Sequence, residues 1–241
     1  MDEVVRIALW SGPRNISTTM MYSFAQRNDT SVVDEPLFGH FLNFTGAWRP
    51  SREEVLTTMD TNAGRIIREE LYGNHASAIY FMKHMANHLE GLDWEFARGF
   101  QNIILTRHPA SVLPSYAVHI KAPTMLDVGY EIQGQFFNQL LAWGEEPIVL
   151  DAAEVLKNPQ SVLQQLCDRL SISFDESMLH WKPGPRPEDG VWAKYWYKNL
   201  HKSSGFAPYQ KREEPVPTEL MPLYESCLPH YQRLSKYAIR G

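Results

Sequence analysis

The stretch Val4-Val5-Arg6-Ile7-Ala8-Leu9-Trp10-Ser11-Gly12-Pro13-Arg14-Asn15-Ile16-Ser17-Thr18-Thr19 decides how the rest of the chain is read. Its first part, Val4 to Leu9, is a short apolar run with β-branched residues, the pattern of a buried parallel strand. Met20-Met21-Tyr22-Ser23-Phe24-Ala25-Gln26-Arg27 reads as a helix whose first turn is crowded with hydroxyls at Ser17, Thr18 and Thr19. Gly12 and Pro13 supply the turn between them. Strand, turn and helix N-terminus together make an anion site. The first backbone N–H groups of a helix have no internal acceptor, and the helix dipole favours negative charge there.

Comparison with a Walker A loop narrows the kind of anion. Laying G-x-x-x-x-G-K-[ST] on Gly12 puts Ser17 at the second glycine and Thr18 at the lysine. The residue able to neutralise phosphate charge is Arg14, early in the loop. Ordinary Mg-dependent ATP hydrolysis is not what such a loop serves.

Outward from this loop, 241 residues with 44% apolar content can bury a substantial core. The expectation is one α/β domain over 1–241, with a helical insertion at about 37–75 and a C-terminal cap at about 180–241. A formal charge of −5 argues against a nucleic-acid binder but not against a small anionic ligand, which a few local cations can attract. Cys167 and Cys227 have neither CxxC nor ligand-like spacing, which predicts reduced thiols in a cytoplasmic protein. Met1-Asp2-Glu3 has no secretory character, and no apolar run has the length of a membrane span. A small-molecule partner is expected, with no nucleic acid and no membrane. Oligomeric state has no signature in the sequence.

Thr30-Ser31-Val32-Val33-Asp34-Glu35-Pro36 reads as a second strand ending in two acids. Acids there lie on the edge where open α/β sheets bind ligands, although capping of the next turn is the commoner reason for acids at such a place. Leu37 to Tyr72 is mostly helical in pattern, broken at Gly46 and Pro50, with Ser51-x-x-Glu54 spaced as a capping box. Phe38, Phe41, Phe44 and Trp48 in this region either wall an acceptor pocket or belong to the core. Ala78 to Lys83 is a third strand that delivers Lys83 and His84 to the same sheet edge. His84 and His88 share a helical spacing with zinc motifs, but H-E-x-x-H and a third ligand are missing, so no metal is implied.

Asn102 to Arg107 is a fourth strand, and His108-Pro109 opens a helix that Pro114 should bend or end. Arg107 and Ser115 can face one point as a second phosphate clamp. Ile148 to Leu150 is a further strand. Asn158 and Pro159 suit the cap and first turn of a helix with an apolar stripe at Val162, Leu163, Leu166, Cys167 and Leu170.

Taken together, these motifs resemble the sulfotransferase family. Its P-loop-like turn, PRSG[ST]T, is matched by Pro13-Arg14-Asn15-Ile16-Ser17-Thr18, and its RxPxxxxxS motif by Arg107, Pro109 and Ser115. Glu35-Pro36-Leu37 looks like the acid-Pro step after the family's second strand, and Lys83-His84 is a displaced echo of its K-T-H turn. Lys182-Pro183-Gly184-Pro185-Arg186 with Asp189-Gly190-Val191-Trp192 looks like its RKGxxGDWKNxF region. The resemblance runs from residue 4 to about 200.

It implies a three-layer sandwich around a central, mostly parallel sheet. It also implies transfer of a sulfuryl group from 3′-phosphoadenosine 5′-phosphosulfate (PAPS) to a hydroxyl or amine of a small acceptor, leaving 3′,5′-bisphosphoadenosine, without a metal. The donor's 5′ end would lie on Gly12, Pro13, Arg14, Asn15, Ile16, Ser17, Thr18 and Thr19. Its 3′-phosphate would lie on Arg107 and Ser115, with Lys182 and Arg186 closing over it. Glu35 would take the acceptor proton in the ordinary carboxylate range, with His84 as the other candidate base, while Arg14 and Lys83 balance developing charge. Ile16 stands where the family carries a glycine and cannot adopt φ > 0 as freely, so a differently shaped loop is expected. Two other readings stay open, a P-loop small-molecule kinase and a non-catalytic adenine-nucleotide-binding protein.

Overall fold

Five strands pair in the order β2-β3-β1-β4-β5, every neighbouring pair parallel. They are β1 (Val5–Ser11), β2 (Thr30–Asp34), β3 (Ile79–Met85), β4 (Gln101–Thr106) and β5 (Ile148–Asp151). The structure, a computed structural model, describes residues 4–211 and 215–241.

Alternation along each strand divides the core into two layers. Ile7, Leu9, Phe81, Ile103, Leu105 and Leu150 pack with α1 (Ser17–Phe24) and with the stripe of the helix Pro159–Arg169. Ala8, Trp10, Tyr80, Met82, Ile104 and Val149 pack on the other side, against the helix Tyr130–Ala142 and Leu234 of the helix Met221–Ser235. The result is an α/β three-layer sandwich. Both sheet faces are covered, which is why the strands read as nearly continuous apolar runs.

From β1 the chain moves out to β2, returns through β3, and crosses to the far side of β1 for β4. Such a reversal leaves a crevice beyond the carboxyl ends of the strands. The loop from Gly12 to Ile16 fills its floor. A Cβ at Gly12 would come within 2.8 Å of the Val128 carbonyl oxygen, so glycine is the residue that lets this loop pass.

Several local expectations hold. The Asn158 side chain accepts from the Ser161 N–H, with Pro159 in the first turn of its helix. Gly46 closes the helix Phe38–Thr45 with φ 67°. Two others fail. Ser51 precedes the helix Arg52–Thr58 with φ −100° and ψ 10°, outside the extended geometry that turns a capping oxygen onto the first N–H groups. Its hydroxyl is buried without a partner, and the capping box does not form. Pro114 does not end the helix Pro109–Ala117, which absorbs the missing N–H and runs on to Ala117. Among the described residues no helix is long and apolar enough to cross a membrane.

Candidate active site

The phosphate-type loop is built as its residue types dictate, with the strain in an unexpected place. Ile16 adopts φ −91° and ψ 23° as the residue preceding α1, and its side chain is buried in the core. Arg14 instead takes the left-handed conformation, φ 53°, so Asn15-Ile16 need not imitate the flexible pair of the family pattern. Asn15 does structural work: its Nδ2 donates to the Leu105 carbonyl at 3.0 Å, and its Oδ1 accepts from the Ile16 N–H at 2.9 Å. α1 therefore starts against β4 with no side chain capping it. Pro13, Arg14, Asn15, Ser17, Thr18 and Thr19 line one side of a cavity of about 150 Å³. Burial lowers the pKa of Arg14, whose Nε has no hydrogen-bond partner.

Across this cavity stands Glu35, immediately after β2, also left-handed at φ 49°. Lys83, at the end of β3, is 2% exposed and spends its ammonium on three oxygens. These are Asp34 Oδ1 at 2.9 Å, the Tyr197 hydroxyl at 2.9 Å and Glu35 Oε1. The Tyr197 hydroxyl donates to Asp34 Oδ2 at 2.7 Å and accepts from Trp192 Nε1 at 3.0 Å. Burial pushes the Lys83 pKa down, but the Asp34 and Glu35 carboxylates outweigh it and hold the ammonium well above its usual range. Glu35 goes the other way from the expected ordinary carboxylate. Burial raises its pKa, and Lys83 offsets only part of that rise.

Two sequence expectations change here. Lys83 has no N–H left for a substrate and acts by holding Glu35 and Asp34. His84 does not share its edge position, because neighbours on a strand face opposite ways. Its ring stacks on Trp10 at 4.2 Å in the opposite layer, fully buried, with neither nitrogen hydrogen-bonded. Burial lowers its pKa to about 3. His84 stands apart from the cavity and cannot serve there as a base.

His88 lies on the cavity wall instead, in a 3-10 turn spanning Ala86–Leu89, with Nε2 3.8 Å from Glu35 Oε2. The sequence suggested His88 only as a partner of His84, and the two occupy different elements. Among the described residues no group of three His, Cys, Asp or Glu side chains is placed to hold a metal ion.

The aromatic residues divide. Phe38, Trp192, Trp196 and Tyr197 line the cavity, Phe41 is core, and Phe44, Trp48 and Tyr195 are exposed. Arg49, which is buried, and the half-buried Asp127, neither of which any sequence motif singled out, pair at 2.8 Å on the same wall.

Arg107 faces a second cleft of about 290 Å³ with His108, Ser111, Lys157 and Arg240. Its Nη1 donates to the Arg14 carbonyl at 2.9 Å, so the walls of the two clefts are joined by this bond. Tyr130 fixes the Arg107 backbone through a 2.7 Å bond to its carbonyl. The Ser115 hydroxyl donates back to Val112 in its own helix at 2.9 Å, and Ser111, one turn earlier, is the serine facing the cleft. Lys182 is exposed and lines neither cleft. Arg186 lies over the Tyr22 ring, 4.6 Å from its centroid. The other cations that line the second cleft, Lys157, Lys211 and Arg240, were singled out by no sequence motif as anion ligands.

A family model described as a sulfotransferase domain matches residues 5–238. The chain belongs to the sulfotransferase family. This sulfotransferase domain is 41% identical over 238 residues to branched-chain-amino-acid aminotransferase-like protein 1 of Arabidopsis thaliana, covering 98% of this chain and 43% of that protein. Protein 2 of the same name is 40% identical, covering 95% of this chain and 41% of that protein. The domain thus spans less than half the length of these relatives, whose names describe the longer proteins. Among solved structures, the sulfotransferase domain from the curacin biosynthetic pathway superposes with a TM-score of 0.56 at 18% identity, covering 94% of this chain and 98% of that one. The sulfotransferase from Alicyclobacillus acidocaldarius gives 0.57 at 12% identity, covering 99% and 98%. These likenesses show the shared α/β fold.

Proposed function

We propose that this domain transfers a sulfuryl group from PAPS to a hydroxyl or amine of a small acceptor, with Glu35 taking the acceptor proton. The observation that carries this reading is the placement of Glu35. A strained backbone and a buried lysine hold its carboxylate across the cavity from Arg14 and the start of α1. Backbone strain of about 1–3 kcal/mol persists only where the surroundings impose it, and it gathers at working sites.

The residues fit an anionic donor. Arg14 Nε is buried without a partner, the first N–H groups of α1 are uncapped, and Ser17 and Thr18 add hydroxyls. Arg107 and Ser111 offer donors to a second anionic group across the bond that joins the clefts. The donor supplies an activated sulfur–oxygen bond. Arg14 and the α1 N–H groups then stabilise charge gathering on the departing phosphate. Glu35 Oε2 receives the proton as the acceptor atom bonds to sulfur. Lys83 keeps that carboxylate aimed into the cavity, and the aromatic wall keeps water away.

Replacing the Glu35 carboxylate tests the reading. Glu35→Gln should lower transfer of labelled sulfate from PAPS by about 10²–10⁴-fold, with the affinity for bisphosphoadenosine unchanged in calorimetry. Turnover equal to wild type would move the base elsewhere. Since Glu35 must be ionised to act and burial raises its pKa, activity should fall on acidification through a pKa above 4.5.

A further inference from the structure

His88 touches the cavity beside Glu35, and its ring is fixed. It is 2% exposed and stacks on Phe38, centroids 5.0 Å apart and planes 10° apart, with Phe41 also at 5.0 Å. Its Nδ1 is buried without a hydrogen-bond partner, while its Nε2 is 3.8 Å from Glu35 Oε2. Lys83 occupies the other oxygen of Glu35.

These contacts decide where the ring carries its proton. Burial, reinforced by His84, Lys83, Arg49 and His40, holds the His88 pKa well below its usual value, so the ring is neutral and has one N–H. A buried N–H without an acceptor is rarer in folded proteins than an under-used acceptor. A proton on Nδ1 would be orphaned, whereas a proton on Nε2 lies beside a carboxylate oxygen. The imidazole therefore presents a donor to the cavity, next to an acceptor.

We propose that the Nε2–H of His88 donates a hydrogen bond to the attacking atom of the acceptor and that the site thereby selects an oxygen nucleophile over an amine. The proposal rests on the sulfuryl-transfer reading above. An oxygen placed about 2.8 Å from both groups gives its proton to Glu35 Oε2 and accepts from His88 through one lone pair. Its second lone pair remains for sulfur. The new O–S bond forms, the bond from sulfur to the phosphate oxygen breaks, and that electron pair leaves with bisphosphoadenosine. A neutral amine nitrogen has a single lone pair, which His88 would occupy. A protonated amine would set its N–H groups against that of His88.

The tautomer can be read without any turnover. In ¹⁵N NMR of the whole chain with bisphosphoadenosine added, His88 should be neutral at pH 7 with its proton on Nε2. A proton on Nδ1, or an imidazolium, overturns the proposal. Turnover supplies a second check, with PAPS and the matched acceptors benzyl alcohol and benzylamine, the amine rate being corrected for its unprotonated fraction. The wild type should favour the alcohol at least about 10-fold. His88→Phe keeps the stack, and should cost the alcohol about 10- to 100-fold in kcat/KM while the Kd for bisphosphoadenosine stays put. Equal rates on both acceptors, or an undiminished alcohol rate, overturn it. With water as the acceptor, release of sulfate should fall in both His88→Phe and Glu35→Gln. A fall in Glu35→Gln alone removes His88 and leaves sulfuryl transfer standing. No transfer and no release by the wild type removes both.

Discussion

The two clefts at the carboxyl edge of the sheet are built on opposite principles. In the cleft holding Glu35, most charged groups are held by one another, Lys83 by Asp34, Glu35 and Tyr197, and Arg49 by Asp127, while Arg14 keeps its Nε unpartnered. In the cleft holding Arg107, the further cations Lys157 and Arg240 are long and exposed, and both reach the same carboxylate, Glu154. A buried charge must be paired and aimed in advance, because nothing solvates it before a substrate arrives. An exposed cation is solvated in the free protein and can turn to an incoming anion at little cost. The first arrangement suits chemistry on one bond, and the second suits binding of a charged end.

The largest test of that contrast is Lys83→Met. It leaves the Asp34 and Glu35 carboxylates buried without their shared counter-charge and should destabilise the fold by about 3–5 kcal/mol in urea unfolding. A loss below about 1 kcal/mol would mean that the cluster is no better organised than a surface pair.

Arg107→Ala sharpens the other half of the comparison. It should weaken bisphosphoadenosine binding roughly 10- to 100-fold by calorimetry, the scale of a charge-assisted hydrogen bond. Undiminished affinity would take Arg107 out of the proposed nucleotide site.

His84, buried behind the sheet from Lys83, separates burial from function. Its pKa falls from 6.5 to about 3 on folding. A depressed pKa gives stability that is present above the unfolded value and lost as pH falls towards the folded one. His84 alone should therefore cost the wild type about 2 kcal/mol between pH 7 and pH 5. His84→Phe should lose less stability over that window, while keeping its transfer activity at pH 7. An identical acid profile would show that His84 is not held neutral by the fold.

The smallest expected effect is that of Lys182→Ala. This residue lines neither cleft, and its replacement should leave nucleotide affinity within about twofold, as for surface changes of under 0.5 kcal/mol.

What was legible in the sequence followed from local physics. The apolar runs, the Asn158-Pro159 helix start and the loop from Gly12 to Thr19 depend on near neighbours, so they gave the layered fold and the strand–loop–helix that carries the resemblance to the family. Spacing along the chain did not reveal which way side chains face. Lys83 and His84 are adjacent in sequence but belong to opposite layers, and Ser115 resembles a clamp residue although its hydroxyl bonds within its own helix.

The sequence by itself determined the parallel α/β sheet, the strand–loop–helix at its edge and the presence of acids after β2. Only the tertiary structure decided which of those groups meet. Asp34 bonds Tyr197 across 163 residues of sequence, and Arg107 reaches Arg14 across 93. Such contacts arise when strand order and crossovers bring remote segments to one crevice. The buried charges then select their partners by geometry and desolvation, neither of which a local pattern encodes.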